Sequence, residues 1–250
     1  MKIVVYGTNV SAMGAAALLA RAGNDVSMQL SPQDIATRRI SVDEPALKAL
    51  LQEQFEAGRL SSFDTNYPPA DAELHWLCLE TNELERAKRI VTQADSRHED
   101  KLLIVNQTIF GIGATDQLND ILGNQEQRAV VYLPDSLRGG QIVDSFLKPD
   151  QLVIGSSSRW ATGRVIAMAR VLMSTVPRIR TMSAQEAEFS SLALNGLLAM
   201  RLSYINEMAN LADSVGIDIE TVRETMSGDA RIGPHFLKPG CGFGGQKFSG

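Results

Sequence analysis

Two short stretches hold the residue types that could do chemistry. The first is the segment 231–250, RIGPHFLKPGCGFGGQKFSG. Gly240, Gly242, Gly244 and Gly245 leave backbone N–H groups exposed, and such loops wrap an anion or a sugar. The same composition also suits an ordinary surface tail. The second is Gly7-Thr8-Asn9-Val10-Ser11-Ala12, directly after a β-branched run. A strand-to-helix turn of this kind cradles the diphosphate of a dinucleotide when three glycines are present. One makes the tight turn, one lets the backbone approach, and one packs helix on strand. Here only Gly7 is a glycine. Ala12 is small enough for the third position, and Asn9 puts a side chain where backbone should meet phosphate. The two cysteines, Cys78 and Cys241, build no disulfide framework, and no CxxC or Cys/His cluster points to zinc. That usage suits the reducing cytoplasm.

The elements that must position these residues belong to an ordinary globular chain. Of 250 residues, 44% are hydrophobic and 21% charged, which argues against disorder. The length suggests one or two domains. The formal charge is −5, from 24 Lys+Arg against 29 Asp+Glu, and no basic block offers a footprint for nucleic acid. No apolar run approaches the roughly 18–20 residues that span a bilayer. Lys2 and the Ala/Leu-rich stretch to Ala20 imitate a signal peptide. Gly7, Thr8, Asn9 and Ser11 interrupt it, so strand, turn and helix is the better reading.

Periodicity predicts strands at 2–6, 25–30, 74–79, 101–105, 129–133 and 151–155. Helical spacing predicts helices at 12–22, 44–57, 83–94, 115–122 and 161–173. This alternation, to about residue 182, indicates a Rossmann-like doubly wound α/β domain with a parallel sheet. Residues 183–215 then form a helical pattern of roughly 30 residues, apolar almost all round. Such a helix must be buried on most faces. A second copy of the chain is the predicted cover; the alternative is a central helix buried within one chain. The domains expected are 1–182, dinucleotide-binding, and 183–250, helical and dimerising with the glycine loop.

Three stretches together resemble the nucleotide-sugar dehydrogenases, the UDP-glucose and GDP-mannose dehydrogenase family. They are the opening βαβ unit, the segment DEPALKALLQEQFEAGRLSSFDT from residue 43, and the segment from AEFSSLALNGLLAMRLSYINEMANLADSVGIDIETV to RIGPHFLKPGCGFGG. YLPDSLRGG, 132–140, is similar to the family's PEFLREG segment. The resemblance covers essentially the whole chain and stops where the family continues into a second Rossmann-like domain. It implies a dimer built on the long helix (184–214). It also implies oxidation of a sugar nucleotide's primary alcohol to a carboxylate by two NAD molecules in turn, through a cysteine thioester.

By that resemblance, Gly7, Asn9, Val10, Leu30 and Thr108 would contact NAD. Arg231, Phe236, Gly240, Phe243, Gly244 and Gly245 would contact the sugar nucleotide. Four positions depart from the family. Asn9 replaces a glycine. Leu30 stands where an acid bonds the ribose, and losing such a charge-assisted bond costs about 1.5–3 kcal/mol. Ser191 replaces the lysine that pairs with Asn195 one helical turn later. Lys247 replaces the nucleophilic cysteine, and an amine forms an imine with an aldehyde rather than a thioester. Asp135 stands where PEFL has its glutamate, as a shortened acid/base or a cap carboxylate. Cys241 lies six residues before Lys247 and could replace the thiol only if the loop refolded. The expectation is a catalytically degenerate homologue. The alternatives are an oxidoreductase with altered chemistry, with Lys247 or Ser191 in a new role, and a sensor whose glycine loop closes on an anion.

Overall fold

The computed structural model describes residues 1–30, 42–63, 68–69, 71–98, 100–123, 125–135, 141–173 and 178–244. The chain divides into two compact units, Met1–Phe189 and Ser190–Gly250.

In the first unit the strands β1 (Lys2–Tyr6), β2 (Asp25–Gln29), β3 (Leu60–Phe63), β4 (Leu74–Leu77), β5 (Leu102–Asn106), β6 (Arg128–Tyr132), β7 (Gln151–Gly155) and β8 (Arg178–Met182) form one sheet. Its order is β3-β2-β1-β4-β5-β6-β7-β8. From β3 to β6 every pairing is parallel, with Val4 opposite Ser27 on one side and His75 on the other. Helices α1 (Val10–Arg21), α2 (Pro45–Glu56), α3 (Leu84–Asp95), α4 (Ala114–Leu122), α5 (Ile142–Leu147) and α6 (Arg159–Leu172) cover the faces.

Alternation along the strands divides the core. Ile3, Val5, Trp76, Val105 and Val131 pack with α1, α2 and α6. Val4, Tyr6, Leu77, Ile104 and Val130 pack with α3 and α4. A parallel strand is buried on both faces, which is why these strands read as continuous apolar runs.

The sheet is not parallel throughout. β7 meets β6 antiparallel, at the single pair Tyr132↔Gly155, and then pairs parallel with β8. Among the described residues of the connection the one helix is α5, six residues and about 9 Å long, which does not cover the length of a five-residue strand of about 17 Å. Reading the sequence also missed β8, α5 and α8 (Ile219–Gly228). β8 is an edge strand with no buried residue, α5 is short, and α8 buries no residue.

The long helix α7 (Ala184–Val215) runs through the boundary. Its first turn is capped by Ser183, whose Oγ accepts from Glu186 N at 3.2 Å while Glu186 accepts from Ser183 N at 2.9 Å. Ala187 is fully buried against Gly155, where an added methyl would stand 2.7 Å from the Ala187 Cβ. Glu188, also buried, accepts from the N–H groups of Gly113 and Thr115 at 2.6 and 2.8 Å, and so caps α4. The opening of α7 therefore belongs to the first unit. In the second unit Ile205, Ala212 and Leu237 are buried, and Arg201 Nη2 donates to the Gly233 carbonyl at 3.1 Å.

Candidate functional site

The strand order from β3 to β6 reverses direction between β1 and β4. In open α/β sheets ligands bind beyond the carboxyl ends of the strands at that switch. Here the edge is made by Gly7, Cys78 to Glu80, Asn106 to Thr108 and Leu133 to Asp135.

Gly7 makes the turn. Its φ is +119°, and an added Cβ would stand 2.0 Å from the Cys78 carbonyl oxygen. Only glycine fits both demands. Asn9 follows as the N-cap of α1. Its Oδ1 accepts from Ala12 N at 3.0 Å, and its Nδ2 donates to the Cys78 carbonyl at 2.9 Å and to Glu80 Oε1 at 3.2 Å. Val10, the first helical residue, is exposed. Ser11 Oγ donates to Asp135 Oδ2 at 2.6 Å. Asp135 thus serves as a carboxylate held against the first turn of α1.

Thr108 is buried, with its Oγ1 accepting from Leu79 N at 2.8 Å and lying 3.2 Å from the Leu79 carbonyl. Asn106 Oδ1 accepts from Thr108 N at 3.0 Å. Gln107 accepts from Trp76 Nε1 at 2.8 Å and from Cys78 Sγ at 3.1 Å, so Cys78 is a core residue. Leu30 is buried in the core shared with α1 and α2.

Sequence reading missed the residue beside it. Gln29 is buried, and its Oε1 accepts from Gly7 N at 3.1 Å and from Arg86 Nη2 at 2.6 Å. Arg86 also donates to Glu83 at 2.7 Å. The available signal was a polar residue ending the otherwise buried half of DVSMQ.

A dinucleotide asks three things of this edge: a close backbone turn, open N–H groups at the start of α1, and a ribose acceptor at the end of β2. Gly7 meets the first. The Ala12 N–H is taken by Asn9, and a carboxylate stands at Ser11. Leu30 offers no acceptor, and Gln29 is turned inward. On the second and third counts the described residues do not fit NAD.

The second unit holds the other predicted residues. Ser191 and Asn195 lie one turn apart on α7, both half-buried. Gly240 N donates to Asn206 Oδ1 at 2.9 Å, which ties the glycine loop to α7. Arg231 pairs with Asp229 through both carboxylate oxygens, Nε to Oδ1 at 3.0 Å and Nη2 to Oδ2 at 2.6 Å. Those hydrogen bonds hold the Asp229 carboxyl below its ordinary range. Phe236, Gly240, Cys241, Phe243 and Gly244 are exposed, and Phe236 has φ +58°. Gly245 and Lys247 lie outside the described residues.

Comparison with known proteins is consistent along the chain. Residues 1–173 match the NAD binding domain of the UDP-glucose/GDP-mannose dehydrogenase family, and residues 185–249 match its central domain. A UDP-glucose 6-dehydrogenase of Pseudomonas aeruginosa is 31% identical over 268 aligned residues, covering 99% of this chain and 59% of that protein. A UDP-glucose 6-dehydrogenase of Bacillus subtilis is 27% identical over 99% of the chain, again across 59% of its own length. The chain therefore spans less than two thirds of these relatives. Among solved structures, a UDP-D-ManNAc dehydrogenase from Pyrococcus horikoshii superposes with a TM-score of 0.85 at 21% identity, covering 98% of this chain and 62% of that one. A UDP-glucose dehydrogenase from Pyrobaculum islandicum gives 0.83 at 23% identity, covering 98% and 60%. These two likenesses speak for the fold. No helix among the described residues is long and apolar enough to cross a membrane.

Proposed function

The chain belongs to the UDP-glucose/GDP-mannose dehydrogenase family, and we propose that it is a non-oxidising member acting as a dimeric binding or regulatory module in the cytoplasm, in polysaccharide precursor metabolism. The observation that carries this reading is the residue at the nucleophile position. By resemblance to the family, Lys247 stands where the thiol must trap the aldehyde, and Ser191 stands where a lysine pairs with Asn195. A thiolate adds to an aldehyde and leaves an adduct that can lose hydride to become a thioester. An amine loses water to an imine, which has no hydride to give at that carbon without a further addition. Ser191 carries no positive charge for a developing oxyanion. Each loss alone could be offset; together they remove nucleophile and charge from one reaction.

Sugar-nucleotide oxidation is tested directly. The chain, incubated with NAD and UDP-glucose, UDP-N-acetyl sugars or GDP-mannose, is expected to form no NADH above the blank at 340 nm. Sustained turnover with any of them overturns the reading. One NADH per product, with a borohydride-trapped adduct on Lys247, would assign an altered oxidoreductase instead.

The dimer rests on α7. Leu194, Leu197, Met200, Tyr204 and Leu211 are each more than half exposed. Leu197, Tyr204 and Leu211 recur every seven residues, which sets them on one stripe of the helix. A contiguous apolar surface of this kind marks an association site, and a second copy offers the same stripe in return. Sedimentation equilibrium is expected to give twice the 27.2 kDa chain mass. Leu197→Glu combined with Leu211→Glu is expected to shift the protein to monomer, weakening association at least about a hundredfold. A monomeric parent chain, or a double variant that stays dimeric, removes the dimer from the proposal.

A further inference from the structure

We propose that the dinucleotide cradle of this chain is closed by its own side chains, with the Asp135 carboxylate taking the place of a diphosphate at the first turn of α1. A helix N-terminus carries roughly half a positive charge and unpaired N–H groups, and so attracts an anion. In this chain the Ala12 N–H is taken by a side chain of the turn itself, and a carboxylate already stands beside the same first turn. Asp135 reaches the helix through Ser11 at 2.6 Å. Asn9 caps Ala12 N with its oxygen, and with its nitrogen it ties the turn to the Cys78 carbonyl and to Glu80. A diphosphate entering here would meet the Asp135 and Glu80 carboxylates, a like-charge encounter that costs binding.

Among the described residues, the ribose end is closed by different means. Leu30 is packed into the core. The adjacent Gln29 spends its carbonyl on Gly7 N and Arg86, and Arg86 is drawn back to Glu83. Backbone turn and helix remain as the fold requires, but the groups that would face a dinucleotide face one another. This goes beyond the non-oxidising reading, because a chain can lose its nucleophile and still hold NAD.

Calorimetric titration of the full chain with NAD tests it. The parent chain is expected to show no saturable heat up to about 1 mM NAD. Asn9→Gly with Asp135→Ala restores the second glycine and removes the facing charge. It is expected to bind at least about tenfold more tightly than the parent. Glycine is nearly as good an N-cap as asparagine, so this variant keeps its helix. Asp135→Asn keeps the size of the side chain and removes only the charge, and it is expected to gain part of the effect. Circular dichroism and the melting temperature establish that each variant is folded. Micromolar binding by the parent chain overturns the closure, as does a folded double variant that binds no better. Tight NAD binding by the parent without NADH formation would sink the closed cradle and leave the non-oxidising reading standing. NADH formation would sink both, because hydride transfer requires bound NAD.

Discussion

Gly7→Ala is expected to unfold the first unit or leave it barely stable, with a loss of about 3–6 kcal/mol. Two costs add. The backbone at φ +119° is disfavoured for any residue with a Cβ. The new methyl would also stand 2.0 Å from the Cys78 carbonyl oxygen and 2.8 Å from its carbon. Both atoms are backbone at the end of β4, so neither can turn aside without pulling β4 from β1, where Cys78 N donates to the Tyr6 carbonyl at 2.8 Å. Domains of this size are stable by only about 5–15 kcal/mol. Gly58 supplies the control. Its φ is +67°, with nothing within 4 Å of an added Cβ, so Gly58→Ala carries a left-handed dihedral cost and no clash. Urea denaturation is expected to place Gly7→Ala at least about 2 kcal/mol below Gly58→Ala. Equal midpoints would mean that β1 and β4 do not approach as described.

Mild acid is expected to destabilise the first unit from near pH 6.5 downward. His75 is buried on β4, and its Nδ1 lies 3.0 Å from the Tyr6 hydroxyl. Among the described residues nothing hydrogen-bonds its Nε2. Burial, with the neighbouring His98 and Arg97, pushes the imidazole down from 6.5 to about 3. Burial also pushes the Tyr6 phenol up, so its proton stays in place.

The sign follows from where the proton binds. Below pH 6.5 the unfolded imidazole takes a proton and the folded one does not, so stability falls as the pH drops towards 3. At pH 5 the loss is about 2 kcal/mol. The lowered carboxylates Glu83, Glu186, Asp71 and Asp229 have ordinary values of 4.5 or 3.8, so their share of acid loss comes lower. Urea midpoints at pH 7 and pH 5 measure the slope. Tyr6→Phe with His75→Phe replaces both polar partners together, and this variant is expected to lose most of the difference between the two pH values. An unchanged slope would show that His75 is not its source.

Much of the fold was legible in local pattern. The boundaries of β1 and α1 and the length of α7 came within two residues or so, because buried strands and a nearly all-apolar helix have periods that a sequence displays directly. Of the site, the turn at Gly7 and the positions of Asn9 and Leu30 were legible as departures from a known glycine pattern. Their consequences were not. In sequence Asn9 is legible as an obstacle to phosphate, but its bonds to Cys78 and Glu80 join residues about 70 apart. Asp135 reads as a shortened acid/base or as a loop or cap carboxylate, and nothing in YLPDSL marks Ser11 as its partner.

Glu44 and Glu188 carry the same lesson. Each caps another helix: Glu44 accepts from Ile142 N and Val143 N at 2.7 and 3.2 Å, and Glu188 caps α4. Capping boxes within four residues can be read from spacing, as at Ser183 and Glu186; caps made across the fold cannot.

Sequence alone established the alternation of the buried strands and longer helices, the family, and the residue types standing at the reactive positions. Each of these is written in neighbouring residues or in a motif with constant spacing. The tertiary structure decided which way β7 runs, which carboxylate meets which helix, and that Gln29 spends its carbonyl on Gly7 and Arg86. Those outcomes depend on which distant segments share a surface, and a linear chain fixes that only when it closes on itself and must satisfy every buried polar group at once.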